Sequence, residues 1–206
     1  IKKDEEVQMT FGDALEKYIQ ERSAVLSPSS IRKYKSMQHN CMVPLKEYQR
    51  KELTQSVIQK VINIASTELS PKSVRDMNGL ISAVMKRFRP GIVINITLPK
   101  KLRSNIYIPT EEDIKKIVRA SEGTIMEVPI LLAAFGAMRR GEICALQKSD
   151  IKNHTIHVTK TMVMNDEGEW IVKAPKSYAG DRYVNYPSFV IEKFLKLPTE
   201  NLLYWS

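Results

Sequence analysis

The stretch VPILLAAFGAM, residues 128–138, is apolar on every side and runs straight into two arginines, Arg139 and Arg140. A helix without a polar face has to be buried, so this segment predicts a core helix around which neighbouring chain is arranged. Charged groups at the end of such a helix are costly unless they are paired. Glu142 lies three residues beyond Arg139, a spacing that puts the two on one helical face. A guanidinium fixed in this way is a rigid, permanently charged fork that matches a phosphate. The same pair also serves simply to close a helix end, and ordinary ion pairs are common. At this level both uses stay open.

Upstream, the chain reads as four amphipathic helices with marked starts. Thr10 and Asp13 have the spacing of a capping box and precede the stripe Phe11, Leu15, Tyr18 and Ile19. Ser27-Pro28 and Ser70-Pro71 each place a serine N-cap before a first-turn proline. Ile31, Tyr34 and Met37 follow the first pair, and Val74, Met77, Ile81, Val84 and Phe88 the second. Thr54 opens the remaining helix, with Val57, Ile58, Val61 and Ala65 inward. Pro44 disfavours helical geometry in Val43 and is expected to end the second helix. Four such helices with short joints predict an all-α bundle over residues 8–90.

From Arg89 to Pro109 the helical period disappears. Three prolines, a glycine and the pair Lys100-Lys101 predict an extended linker over residues 91–109. A second domain, residues 110–206, opens with Thr110 as N-cap, Asp113 at the third position, and then Ile114, Ile117 and Val118. After the arginines the period changes to two. Ile156 and Val158 mark a strand, Asn165 to Gly168 a turn, Trp170 and Val172 a returning strand, and Tyr183 to Tyr186 a third strand. Pro187 ends it and a last helix begins near Ser188. The expectation is an α+β domain, mainly helical, with a small antiparallel three-stranded sheet.

The balance of 32 Lys+Arg against 23 Asp+Glu leaves a formal charge of +9. That excess favours a polyanionic partner, either nucleic acid or an acidic membrane surface. No apolar run approaches the roughly 20 residues that cross a bilayer, and the first residues lack a signal-peptide pattern, so a cytosolic protein without a membrane span is expected. SPSSIRKYK and SPKSVRDMN place Ser29, Arg32, Lys35, Lys72 and Arg75 in the opening turns of two helices. Free N–H groups and the helix dipole there suit phosphate oxygens, although solvated surface charge explains the same residues. Lys100 and Lys101 would lend the linker the same affinity. Metal ligands are sparse: His39 and Cys41 have no second pair, and His154 and His157 are expected on opposite faces of a strand. Neither a metal nor another cofactor is expected, and Cys41 and Cys144 read as reduced, buried thiols.

Two motif boxes narrow the reading. GAMRRGEICALQKSDI resembles the first catalytic box of tyrosine recombinases, T-G-x-R-x-x-E-[IL]-x-x-L followed by an Asp, with Arg139, Glu142, Ile143, Leu146 and Asp150 in register. Gly136 and Ala137 stand where the pattern has Thr-Gly. APKSYAGDRYVNYP resembles the family's lysine hairpin, P-K-T-x-x-S-x-R-x-[IV]-x-[LY]-P, with Lys176 at the lysine and Arg182 at the arginine. Ser177 replaces the Thr there, and Gly180 replaces the Ser. TFGDALEKYI, LSPSSIRKY, LTQSVIQKVIN and LSPKSVRDMNGLISAVMK are similar to the helical core-type DNA-binding domain of phage and transposon integrases.

The resemblance implies a SAM-like core-binding bundle followed by the N-terminal part of a truncated tyrosine-recombinase catalytic domain. It implies an enzyme that cuts and rejoins double-stranded DNA at attachment or core sites through a 3′-phosphotyrosyl intermediate. Arg139 would neutralise the transition-state phosphate, Lys176 would protonate the departing 5′-oxygen, and Glu142 and Arg182 would support them. It also implies a tetramer on DNA, in a bacterial host cell and near its nucleoid. The family's His-x-x-Arg box and nucleophilic tyrosine have no match here; Tyr204 comes too early for that role. The fragment itself is therefore expected not to cleave. A non-catalytic DNA-binding accessory factor, a decayed recombinase and a type IB topoisomerase are the alternatives.

Overall fold

The computed structural model describes residues 9–101 and 105–198. The chain divides into two compact units, one running to Asn105 together with Asn165–Glu167, the other holding Ile106–Met164 and the chain from Gly168.

Four helices surround the core of the first unit: α1 (Phe11–Gln20), α2 (Pro28–Asn40), α3 (Gln55–Glu68) and α4 (Pro71–Phe88). Each begins where a side-chain oxygen replaces a missing helical partner. Thr10, Ser27, Thr54 and Ser70 accept from the backbone N–H three residues on, and Asp13 returns the bond to Thr10 as a capping box. The stripes read from the sequence meet in one cluster. Phe11, Leu15, Ile58, Val74, Met77, Ile81 and Val84 are buried, and Ile31, Tyr34 and Val57 pack at its edge. Each fully covered aliphatic or aromatic side chain contributes about 1.5–3 kcal/mol. The helix α2 ends at Asn40, before the Pro44 segment as expected, and Val43–Leu45 then form a single 3-10 turn that contains the proline. A 3-10 turn of this length tolerates a proline without a backbone donor.

The segment read as a linker starts as a strap on this unit. Along 91–98 exposure alternates residue by residue, and Ile92, Ile94, Ile96 and Leu98 pack on the helical core. Among the described residues no neighbouring strand serves its backbone; helix side chains do. Gln59 accepts from Thr97 N at 2.8 Å and donates to Thr97 O at 3.0 Å, and Arg75 donates to the Pro99 carbonyl at 2.7 Å.

Among the described residues the second unit contains α5 (Glu111–Ser121), α6 (Glu127–Gly136), α7 (Arg140–Ala145) and α8 (Ser188–Leu195), with five short strands. β1 (Ile151–Lys152), β2 (Thr155–Val158) and β5 (Arg182–Asn185) form an antiparallel sheet in the order β1-β2-β5. β3 (Thr161–Met164) and β4 (Trp170–Lys173) form a separate two-stranded ribbon. The expected sheet is corrected in its membership: the Trp170 strand pairs with Thr161–Met164, and β2 pairs with β5, Ile156 opposite Val184. The break at Thr159-Lys160 divides what periodicity reads as one strand. His154 sits in the turn after Asn153, whose φ is +56°, and not on a strand. Leu131, Leu132, Ile143, Leu146, Ile156, Val158, Val190 and Phe194 make the core.

The all-apolar helix is buried on one side only. Val128, Pro129, Leu131 and Leu132 are covered, but Ala133, Ala134 and Phe135 are exposed. On α5, Ile114 and Ile117 are exposed as well, while Val118 packs inward. Complete burial was expected of this helix, and these elements do not cover its outer face. Cys144 is buried and Cys41 half-buried. Among the described residues no helix is long and apolar enough to cross a membrane, and no group of three or more His, Cys, Asp or Glu is placed to hold a metal ion.

Candidate functional site

α6 ends in a sharp turn before α7. Ala137 caps α6 in the left-handed region, φ 48° and ψ 34°, and Arg139 then returns to extended backbone as the N-cap of α7. Gly136 permits this turn for a packing reason. A Cβ there would lie 1.8 Å from the Tyr186 hydroxyl oxygen, which donates to the Leu132 carbonyl at 2.8 Å. Tyr186 thus ties the end of β5 to α6, and burial raises its phenol to about 12. The pattern's Thr-Gly is therefore shifted in role: glycine makes room for a ring, and an alanine takes the left-handed position. Gly141 lets α7 lie on β3, where a Cβ would meet Thr161 Oγ1 at 2.5 Å and Met162 O at 2.7 Å.

Arg139 and Glu142 meet, but not on a shared helical face. Arg139 lies outside the helix, and Glu142 reaches back to it from the third position of α7. One Glu142 oxygen accepts from Arg139 N at 2.9 Å, and the other from Arg139 Nη1 at 2.8 Å. Arg182, at the start of β5, adds a bidentate pair to the same carboxylate at 3.0 and 2.8 Å. It also donates to the Gly180 carbonyl at 3.3 Å. Burial works against ionising Glu142, but Arg182, then the Arg139 backbone and side chain, outweigh it and hold its pKa at about 2. The carboxylate is 4% exposed, Arg182 26% and Arg139 74%. One buried anion thus anchors two cations, and the uncompensated positive charge faces solvent at Arg139.

Lys176 is exposed, in the connection between β4 and β5 that Arg182 closes. In that connection Gly180 packs on Pro175, where a Cβ would come within 2.5 Å of the Pro175 Cβ. The serine of the family pattern would not fit there without a shift. Asp150 accepts from Gln147 N at 2.8 Å and pairs with Lys160 at 3.0 Å, which makes it a brace for the chain after α7.

The phosphate candidates of the first unit are distributed unevenly. Ser29 and Arg32 are exposed on α2, with Ser29 Oγ 3.0 Å from Ser27 Oγ. Lys72 is exposed on α4 and shares Asp76 with Lys33 of α2, at 3.3 and 2.7 Å. This shared carboxylate brings the two Ser-Pro helix starts together, and Lys33 is a member that periodicity alone did not single out. Lys35 is half-buried and pairs at 2.6 Å with Asp166, which groups with this unit. Arg75 is committed to the strap through Pro99, so its guanidinium holds protein backbone where a phosphate contact was expected. Lys100 and Lys101 are exposed.

No family model and no curated protein matches the sequence. Solved structures do match in fold. The Tn1549 transposon integrase in complex with transposon right end DNA superposes with a TM-score of 0.73 at 16% identity, over 91% of this chain and 64% of that one. A lambda integrase dimer bound to a COC′ core site gives 0.67 at 17% identity, over 98% and 59%. Lambda integrase bound to DNA gives 0.65 at 18%, over 94% and 70%. The chain thus has an integrase fold and spans less than two thirds of the length of the first two.

Proposed function

We propose that this chain is the core-type DNA-binding domain, linker and N-terminal catalytic portion of a tyrosine-type site-specific recombinase, an integrase of a phage or other mobile element. One observation carries the reading. The arginines of two motif boxes, Arg139 and Arg182, which are 43 residues apart in sequence, share the single carboxylate of Glu142. The setting is a fold that matches DNA-bound integrases.

On this reading Glu142 and Arg182 are positioning residues. They fix the guanidinium of Arg139 before DNA arrives, so that its charge meets the nonbridging oxygens of the scissile phosphate without reorganisation. Lys176 protonates the departing 5′-oxygen as the nucleophilic tyrosine forms its 3′-phosphotyrosyl bond. That tyrosine and a His-x-x-Arg box belong to the complete recombinase and not to the boxes matched here. The 206 residues by themselves therefore bind DNA without cutting it. Arg32, Lys33, Lys72, Lys100 and Lys101 contribute contacts to the DNA backbone. The complete protein acts on double-stranded attachment sites as a tetramer, the form in which lambda integrase was solved on a Holliday junction, within its bacterial host.

The test is covalent trapping. In the protein that carries these boxes together with the tyrosine, a nicked suicide duplex should become attached through a phosphotyrosine. Arg139→Ala should lower the yield at least about 100-fold, as loss of an oxyanion-stabilising donor does. Unchanged trapping would remove Arg139 from the chemistry. Tight, salt-dependent binding with no adduct in any variant would mark a non-catalytic DNA-binding protein.

A further inference from the structure

The turn that carries Lys176 also carries Tyr178, which is 99% exposed. The backbone under it is not loose. Gly180 N donates to the Ser177 carbonyl at 2.8 Å and Asp181 N to the Tyr178 carbonyl at 3.1 Å. Gly180 lies against Pro175, and Arg182 holds the Gly180 carbonyl while bound to Glu142. On the other flank His157 Nε2 is 2.8 Å from Asp181 Oδ1, and its ring stacks on Tyr183 at 4.1 Å and 11°. A short turn held from both sides thus presents a whole aromatic ring to solvent.

Such a ring is a poor choice for a surface with no partner, since burying it is favourable. It is a good contact residue, because only two side-chain torsions have to be fixed when it binds. With Arg182 neutralised by Glu142, Lys173 and Lys176 still outnumber Asp181 along this segment and attract a polyanion. A ring beside cations matches a nucleotide: the cations meet phosphate and the ring meets the face of a base. Bases in an intact duplex already cover one another. A face is free only where stacking is interrupted, as it is beside a strand break.

Building on the DNA reading above, we propose that Tyr178 stacks on a nucleobase released from the duplex next to the phosphate that Lys176 attends. Its role is to hold the displaced end during strand exchange.

The probe is a nicked duplex with an unpaired 2-aminopurine beside the nick, titrated with the 206-residue chain. Stacking should quench the 2-aminopurine fluorescence with the wild type and with Tyr178→Phe, and not with Tyr178→Ala. Tyr178→Ala should also weaken binding to this probe about tenfold, without changing the salt dependence, because stacking releases no counterions. If Tyr178→Ala binds and quenches like the wild type, the stacking role is overturned while the DNA reading stands. If the wild type binds no duplex at all, the DNA reading fails and the stacking role with it.

Discussion

Glu142 decides how the candidate site behaves. Its carboxyl is held at about 2, below the ordinary value of 4.5, so the folded state favours the ionised form. A depressed carboxylate stabilises above its unfolded pKa, and that contribution disappears as pH falls through the folded value. Between about pH 5 and pH 2 the second unit should therefore lose about 3 kcal/mol, an acid limb absent from Glu142→Gln. Thermal unfolding across this range reads it, and equal acid limbs in both proteins would show that the carboxylate is not held by the arginines. At neutral pH, Glu142→Ala should cost about 3 kcal/mol, because it leaves two cations facing each other. At the preceding turn, Ala137→Gly should raise stability by about 0.5–1 kcal/mol by relieving left-handed backbone. Gly136→Ala should lower it, through collision with Tyr186. The motif positions were legible in the sequence as residue types, and their geometry was not. Spacing placed Arg139 and Glu142 on one helical face, whereas Arg139 caps the helix from outside. That Arg182 shares the same carboxylate depends on β2 pairing with β5, which no local pattern encodes.

Helix starts were the most legible elements, because a capping oxygen and a first-turn proline are local devices that need no distant partner. Thr10, Ser27, Thr54, Ser70 and Thr110 all accept from the N–H three residues on. Elements whose partners are distant were read less well. The alternation Ile92, Ile94, Ile96, Leu98 lies among prolines in a segment without helical period, and nothing local in it announces docking on the first core. Alternation does not separate the ribbon β3-β4 from the main sheet, because it says nothing about which strand is the neighbour. In α6, composition promised burial on all sides, and the outer face is open. Leu132→Ala should therefore cost about 2–5 kcal/mol. Phe135→Ala, which loses mainly an edge contact with Phe189 at 5.4 Å, should cost under about 1 kcal/mol by thermal unfolding. Equal costs would mean that Phe135 is buried in solution by something these elements do not provide.

At the scale of the whole chain, a formal charge of +9 favours a polyanionic partner without saying where it would bind. The structure separates cations occupied by protein, such as Arg75 and Arg182, from those left facing solvent, such as Arg32, Lys72, Lys176 and Arg139. The central claim is that the Glu142 carboxylate keeps Arg139 in place for a DNA phosphate. Its most direct test is the salt dependence of duplex binding by the 206-residue chain and by Arg139→Gln. Each phosphate contact removed lowers the slope of log K against log salt by about one, so the variant should bind more weakly with a slope shallower by that amount. Identical slopes and affinities would mean that the outward guanidinium touches no phosphate, and the pairing with Glu142 would then be no more than a helix cap.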